Sequence, residues 1–584
     1  MKYHMSSEEI IITYIQLVKN CKKDTSNFAM KKLSVLGDCA TQHISKAVQG
    51  YAVERELALN IFDTDYNQII AQIFDSDSEL YKFNPDYVLI IQCTEKLYEK
   101  YCETPNENRC SFADNVLTQI RGYWDKIHSM CKARILQFNF PEIDDKVFGS
   151  FADSTESSFV FQLRKLNFLL SDLAVQNKNV FIVDVLSLQN YVGRQQYFDP
   201  KLYYIAKMPI ALEILPQVAK AVVDVICTLN GNFKKCIILD LDNTLWGGVI
   251  GDDGLSGIQI GELGLGHAFS DFQQWLKELK KRGIILAVCS KNDEVNAKEP
   301  FINHPDMVLR LDDISAFVAN WDDKVSNIRS IQKALNIGFD SMVFIDDNSF
   351  ERNLVKSMLP QIAVPDLPED PALYLDFLRS LNLFETASYS SEDESRTKQY
   401  QAEFGRNISM QSFGSYDEYL QSLEMKAKCG PFEKFDYPRI SQLTQRSNQF
   451  NLRTVRYTET EIAKIAESDK YITLSFSLKD NFGDHGLISV VILEKRDDDT
   501  LFIETWLMSC RVLRRGMEEF IINKIIDTAD KNSFKSVIGE YIKTPKNAMV
   551  SDIYGRMGFR QMSDNTYIAD VNTFKKNKTY IKEN

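Results

Sequence analysis

Cys236-Ile237-Ile238-Leu239-Asp240-Leu241-Asp242-Asn243-Thr244 is the stretch that decides the fold. Its unbroken apolar run reads as a strand buried on both faces of a parallel sheet. The two aspartates one residue apart at its carboxyl end stand where open α/β sheets place their ligands. One such carboxylate can attack phosphorus while the other handles the leaving group's proton, whereas the bland alternative is an acidic turn. Two further strands end the same way: Ile284-Ile285-Leu286-Ala287-Val288-Cys289 runs into Ser290-Lys291-Asn292-Asp293, and Met342-Val343-Phe344-Ile345 into Asp346-Asp347-Asn348. One intervening helix carries Phe269, Phe272, Trp275, Leu276 and Leu279 ahead of Gly283. The other opens at Asn320-Trp321-Asp322-Asp323-Lys324 and carries Val325, Ile328, Ile331 and Leu335. Right-handed βαβ connections bring all the strand ends to one edge, so the aspartates, Ser290 and Lys324 are expected to converge.

The charges make sense together. Several carboxylates in one cleft repel one another and raise each other's pKa values unless a cation is present. Mg²⁺ takes hard oxygen ligands, commonly one or two carboxylates, waters and a substrate phosphate. Lys324 adds the fixed positive charge that phosphoryl transfer uses.

Residues 231–385 resemble the haloacid dehalogenase (HAD) superfamily, with four motifs in order. The stretch through Gly254, Ser290-Lys291-Asn292-Asp293 and Phe344-Ile345-Asp346-Asp347-Asn348-Ser349-Phe350-Glu351-Arg352 is similar to the FkbH-like branch. The resemblance implies Asp240 as the nucleophile that becomes an aspartyl-phosphate, and Asp242 as the acid that protonates the leaving oxygen and then activates water. It implies Ser290 and Lys324 as holders of the phosphoryl group. It also implies a Mg²⁺ site of Asp240, the Asp242 backbone carbonyl, Asp346 and Asp347.

At 584 residues the chain is too long for one core, and three domains are expected. A net charge of −13 argues against nucleic-acid and anionic-membrane partners. Apolar runs are too short to cross a bilayer, and the first residues lack a signal-peptide core. Eleven cysteines without a Cys-x-x-Cys pair indicate neither a disulfide framework nor a structural zinc site, so a reducing cytoplasm fits.

Towards the amino terminus, residues 8–19 have a helical, amphipathic pattern. Strands are expected at Lys32-Leu33-Ser34-Val35-Leu36, Tyr87–Ile91, Arg134–Phe138 and Asn179–Asp184, with helical patterns between them. The Gly37-Asp38-Cys39 loop resembles the opening block of SGNH-type hydrolases, with Cys39 at the serine position. Gln92-Cys93-Thr94-Glu95 replaces the expected Gly-x-Asn-Asp block, and no histidine follows Asp199 at the expected spacing, so ordinary esterase activity is not expected.

Beyond a Ser- and Glu-rich stretch read as a solvated linker or a helix start, a hairpin is expected around Arg496–Thr500 and an apolar helix through Ile521, Ile522, Ile525 and Ile526. This order resembles the GNAT acyltransferase fold, whose strand-to-helix loop binds coenzyme A pyrophosphate through backbone N–H groups. Arg511, Arg515 and Gly516 would receive CoA or a phosphopantetheine arm there, although Arg514 stands at the first glycine's place. His485, between Asp484 and Gly486, reads as a turn residue.

The fold expected is an α/β multidomain chain: two Rossmann-like three-layer α/β/α domains, then an α+β domain. The boundaries are a helical segment 1–30, an SGNH-like domain 31–230, a HAD-like phosphatase domain 231–385, a helical linker 386–424 and a GNAT-like domain 425–584. FkbH-like proteins take a glyceryl unit from 1,3-bisphosphoglycerate, remove phosphate and load an acyl carrier protein thiol. The resemblance therefore implies an enzyme-bound thioester, for which Cys39, Cys289 and Cys510 are candidates. The alternative is a plain phosphatase of a small phosphorylated metabolite with two accessory binding domains.

Overall fold

The computed structural model describes residues 12–389, 393, 396–410, 415–497, 499–544 and 546–584, leaving aside the side chains of 403–405 and 407–410. The chain is an α/β multidomain protein and divides into two compact units, Met1–Leu229 and Asn230–Asn584. No described helix is long and apolar enough to cross a membrane.

In the first unit, residues 8–11 of the expected helix lie outside the described residues. The described part is α1 (Tyr14–Asn20), where Thr13 and Gln16 form a reciprocal cap. Five parallel strands follow: β1 (Ala29–Gly37), β2 (Leu57–Asp63), β3 (Tyr87–Ile91), β4 (Arg134–Phe138) and β5 (Val180–Val183). Their order is β2-β1-β3-β4-β5. β3 is buried along its whole length, as its continuous apolar run requires. The sequence reading missed β2 because it is an edge strand whose last residues are half exposed, which weakens the apolar signal. Helices α2 (Gln42–Glu54), α3 (Thr94–Glu103), α4 (Phe112–Met130), α5 (Phe159–Gln176) and α6 (Leu215–Leu229) connect and cover the sheet. Trp124 of α4 is fully buried, and its Nε1 donates to Gln137 Oε1 of β4 (3.3 Å), so the indole has a polar partner in the core.

The second unit opens with β6 (Cys236–Leu239), α7 (Leu265–Lys281), β7 (Ile285–Ser290), α8 (Glu294–Asn303), β8 (Ile314–Ala319), α9 (Lys324–Leu335), β9 (Met342–Ile345) and α10 (Ser349–Met358). The four strands are parallel in the order β8-β7-β6-β9. Strand side chains alternate between two apolar layers: Ile237, Leu239, Leu286 and Val288 face one, and Cys236, Ile238, Ala287 and Cys289 the other. β8 is again an edge strand that the apolar pattern did not announce.

Part of the Ser- and Glu-rich stretch, 390–392 and 394–395, lies outside the described residues. The expectation that it is solvated fails at Asp393, whose carboxylate is fully buried and held by Arg396 (2.8 Å), Arg446 (2.7 Å) and Gln442 (2.6 Å). The following helix α11 (Arg396–Met410) is not a free linker. Gln401 Nε2 donates to the carbonyls of Asp312 (3.2 Å) and Ile314 (3.0 Å), so α11 lies along the β8 edge.

The remainder of this unit contains β10 (Lys426–Gly430), α12 (Tyr437–Arg446), β11 (Tyr471–Asp480), β12 (Gly483–Asp497), β13 (Thr500–Met508), α13 (Met517–Lys531), β14 (Ser536–Glu540), β15 (Arg560–Gln561), β16 (Thr566–Asp570) and β17 (Lys582–Glu583). They form one sheet in the order β15-β16-β14-β13-β12-β11-β10-β17. The expected hairpin is β12 paired antiparallel with β13. α13 buries Ile521, Ile522, Ile525 and Ile526 against the sheet, as the spacing predicts.

Candidate functional site

In the second unit's parallel sheet, strand order reverses between β6 and β9, and the crevice beyond such a switch point is where open α/β sheets bind ligands. β6 and β9 pair in register from Cys236↔Met342 to Leu239↔Ile345, so the next residues, Asp240 and Asp346, emerge side by side. Asp240 N still donates to Ile345 O (3.0 Å), and the chain then turns through Asn243 at φ 55°. Asparagine tolerates that left-handed conformation, and its Oδ1 accepts from Gly248 N (2.9 Å), which closes the loop.

One carboxylate oxygen each of Asp240, Asp346 and Asp347 lies within 4.8 Å of the others. Lys324, 3% exposed at the start of α9, reaches between two of them: Nζ is 2.9 Å from Asp240 Oδ2 and 2.5 Å from Asp346 Oδ2. Burial works against its charge, but the two carboxylates outweigh burial and hold its pKa above the ordinary lysine range. One cation does not neutralise three carboxylates. The buried Asp240 Oδ1 has no hydrogen-bond partner, and burial followed by Asp240's charge raises Asp347's carboxyl. This donor set, all hard oxygens with one buried oxygen left over, fits Mg²⁺ held by Asp240, Asp346 and Asp347.

Asp242 is seated differently. Its Oδ1 accepts from Trp246 Nε1 and Ile250 N, each 3.0 Å, and its Oδ2 from Asn292 Nδ2 (3.0 Å). These bonds fix the side chain, and its carboxylate is not among the clustered three. Burial, with a smaller push from Asp240, still raises its pKa, which suits a proton donor. Ser290 ends β7, which pairs with β6, and is 2% exposed.

Burial, then Asp240's charge, pushes the Asp346 carboxyl up to about 6. Between the unfolded value of about 3.9 and about 6, the folded chain binds more protons than the unfolded one. Without divalent cation, Asp346's contribution to stability is therefore complete below the unfolded value and lost as pH rises through about 6. Urea midpoints across that window are expected to fall less steeply in Asp346→Asn, and Mg²⁺ is expected to flatten the wild-type slope.

Several supporting residues had no assigned role in the sequence reading. Thr244 Oγ1 accepts from Asp347 N (3.1 Å) and donates to Asp347 Oδ1 (3.3 Å). Arg352 Nη1 donates to the carbonyls of Asp346 (2.9 Å) and Asp347 (2.6 Å), and Lys291 pairs with buried Glu351 (2.6 Å). All lie inside the motif stretches, but single spacings do not say which polar residue braces which.

The first unit has its own switch point, between β1 and β3. There Asp38, Cys39 and Cys93 bring ligand atoms within 4.8 Å of one another. Cys39 is 2% exposed. His43, the histidine nearest in sequence, is hydrogen-bonded to Tyr14 (2.6 Å), and Asp199 caps a helix through Lys201 N and Leu202 N, so an esterase triad is not assembled from them. Cys289 is buried in the layer that holds Val325 and Ile328, with its Sγ 3.8 Å from the Lys324 carbonyl, and burial pushes its thiol up to about 12, which leaves it inert. The Cys510 carbonyl accepts from Asn336 Nδ2 (2.5 Å).

At the expected cofactor cradle the arginines turn inward. Arg511 and Arg515 are buried: Arg511 Nε donates to Ser509 Oγ (3.2 Å), and Arg515 donates to Asp480 Oδ2 (3.3 Å) and to the Arg511 carbonyl (2.6 Å). Gly516 does take φ 78° before α13, but Glu518 and Glu519 fill the helix's first turn and Glu518 Oε1 accepts from Arg514 N (3.0 Å). Carboxylates at that positive helix end repel a pyrophosphate. His485 is likewise no turn residue: it is buried in β12 with Nε2 2.9 Å from Asp480 Oδ2.

The family model described as FkbH, N-terminal domain, matches residues 32–227. The chain is similar to the N-terminal part of the protein BF1531 from Bacteroides fragilis, a crystal structure containing a phosphatase domain complexed with Mg. Identity is 46%, the match covers 65% of this chain and 100% of that one, and the TM-score is 0.63. It is also similar to the ribosomal-protein-S18-alanine N-acetyltransferase from Escherichia coli, 17% identical over 24% of this chain and 90% of that one, with a TM-score of 0.20, too low to carry an argument. No curated protein matches the chain.

Proposed function

We infer from one premise, that this chain belongs to the FkbH family, that it is a Mg²⁺-dependent phosphatase of the HAD type whose product is an acyl unit destined for a carrier thiol. The observation that carries the phosphatase is the trio Asp240, Asp346 and Asp347 within 4.8 Å, bridged by Lys324. Asp240 supplies the attacking carboxylate oxygen. Asp242, fixed by Trp246, Ile250 N and Asn292, gives its proton to the departing oxygen and takes one from the water that then cleaves the aspartyl-phosphate. Lys324 and Ser290 orient the phosphoryl oxygens. When bound by Asp240, Asp346, Asp347 and the Asp242 carbonyl, Mg²⁺ supplies charge neutralisation and polarises the phosphoryl group.

The substrate we propose is a glyceryl unit from 1,3-bisphosphoglycerate. The Cys39 thiol attacks the acyl-phosphate carbonyl, the C–S bond forms and phosphate leaves with the thiol's proton. The remaining phosphate monoester is hydrolysed at Asp240, and the acyl group passes to the phosphopantetheine thiol of an acyl carrier protein. Phosphate release is assayed from 1,3-bisphosphoglycerate with and without a phosphopantetheinylated carrier, alongside intact-mass analysis. Cys39→Ser is expected to lose the acyl adduct while keeping Asp240-dependent release from a phosphate monoester. An adduct surviving that substitution excludes Cys39. The alternative, a plain phosphatase of a small metabolite, is favoured by the inward-turned Arg511 and Arg515, and it predicts phosphate release that is indifferent to the carrier.

A further inference from the structure

The ladder between β1 and β3 runs from Leu33↔Tyr87 to Gly37↔Ile91. Two residues beyond these paired ends stand Cys39 and Cys93, so the register places them opposite each other. Pairing continues past the strands, since Asp38 N donates to Ile91 O (3.1 Å) and Cys93 N to Asp38 Oδ1 (2.9 Å). Adjacent strands lie about 4.8 Å apart, inside the Cα separation of roughly 4.4–6.8 Å that a disulfide spans. The thiol sulfurs and an Asp38 carboxylate oxygen are within 4.8 Å of one another. A hydrogen bond between the two thiols, then burial, raises the Cys93 thiol well above its ordinary value.

We propose that Cys39 and Cys93 are a redox pair that a small peroxide converts to a reversible disulfide, closing the Cys39 thiol. That closing Cys39 halts acyl loading rests on the function proposed above; the disulfide itself does not. One thiol sulfur attacks a peroxide oxygen, the O–O bond breaks, and water leaves with a sulfenic acid remaining. The second sulfur then attacks the first, the S–O bond breaks and a second water departs, so two thiols and one hydrogen peroxide give one disulfide and two waters. Asp38 is placed to take the thiol proton in the first step, and burial pushes its carboxyl up to about 6, which makes it a better base than an exposed aspartate. Cys39 is 2% and Cys93 5% exposed, so the oxidant has to be compact.

The register also makes the test clean, because the tryptic peptides 33–46 and 83–96 each contain a single cysteine, Cys39 and Cys93. The full chain is treated with hydrogen peroxide, alkylated and digested. The expected product is these two peptides joined, lighter by two hydrogens than their sum and separated by dithiothreitol. Recovery of both peptides unlinked, whether alkylated or as sulfinic acids, overturns the proposal. In Cys93→Ser the link is expected to vanish, with Cys39 carried on to sulfinic acid that dithiothreitol does not restore. Acyl loading is expected to be lost on oxidation and regained on reduction, while Asp240-dependent phosphate release is unchanged. If the linked peptides form but no acyl adduct is seen on the reduced protein, the redox pair stands and the acyl-loading function falls.

Discussion

Asp240→Asn is expected to reduce phosphate release by about a thousandfold or more, since it removes the proposed nucleophile rather than a group that tunes it. The exchange keeps size and shape in a site where Asp240 is 8% exposed, so the sheet and its loop are expected to persist. It also removes a negative charge that raises both Asp346 and Asp347, so those two carboxyls are expected to titrate lower in the variant. Lys324 loses one of its two carboxylate partners but keeps Asp346 at 2.5 Å. Single-turnover phosphate release and urea midpoints, measured on the same preparation, separate lost chemistry from lost folding. Wild-type turnover by a folded variant on every phosphorylated substrate tried would sink the role of Asp240.

The second large effect concerns stability. Asp480 is fully buried at the end of β11, where its Oδ2 meets His485 Nε2 (2.9 Å), Arg515 Nη1 (3.3 Å) and Arg406 Nε (3.4 Å). Its Oδ1 accepts from Phe482 N (2.9 Å) and Gly483 N (3.1 Å), which shapes the turn into β12. Burial opposes ionisation, but the His485 hydrogen bond and the neighbouring positive charges hold the carboxyl below its ordinary range. Asp480→Ala leaves two buried guanidinium groups without their shared anion and is expected to cost about 3–5 kcal/mol. Chemical denaturation followed by tryptophan fluorescence reads the loss, and an unchanged midpoint would refute it. Because the folded pKa is lowered, the wild-type contribution is present above the unfolded aspartate value and fades as pH falls through the folded one.

The parallel-sheet units were legible because buried parallel strands need unbroken apolar runs, and Tyr87–Ile91, Arg134–Phe138 and Met342–Ile345 are strands with those same limits. Strands β2 and β8 were not legible, since Asn60–Asp63 and Phe317–Val318 are not fully buried and break the apolar run. The convergence of Asp240, Asp346 and Lys324 could be read from chain order because topology carries successive strand ends to one edge. Polar residues that fold inward were misread: Arg511, Arg515, Asp393 and His485 look like surface groups in one dimension, and only their partners make burial tolerable.

The sequence alone determined that aspartates at the ends of β6 and β9 would meet, because apolar periodicity and the handedness of βαβ connections leave little choice. Tertiary structure decided what local spacing cannot encode. It turned Arg515 towards Asp480 and Arg511 towards Ser509, and it set Cys93 across from Cys39 although 54 positions separate them. Strand register and ion pairing join residues distant in the chain, and those unions depend on the whole folded sheet.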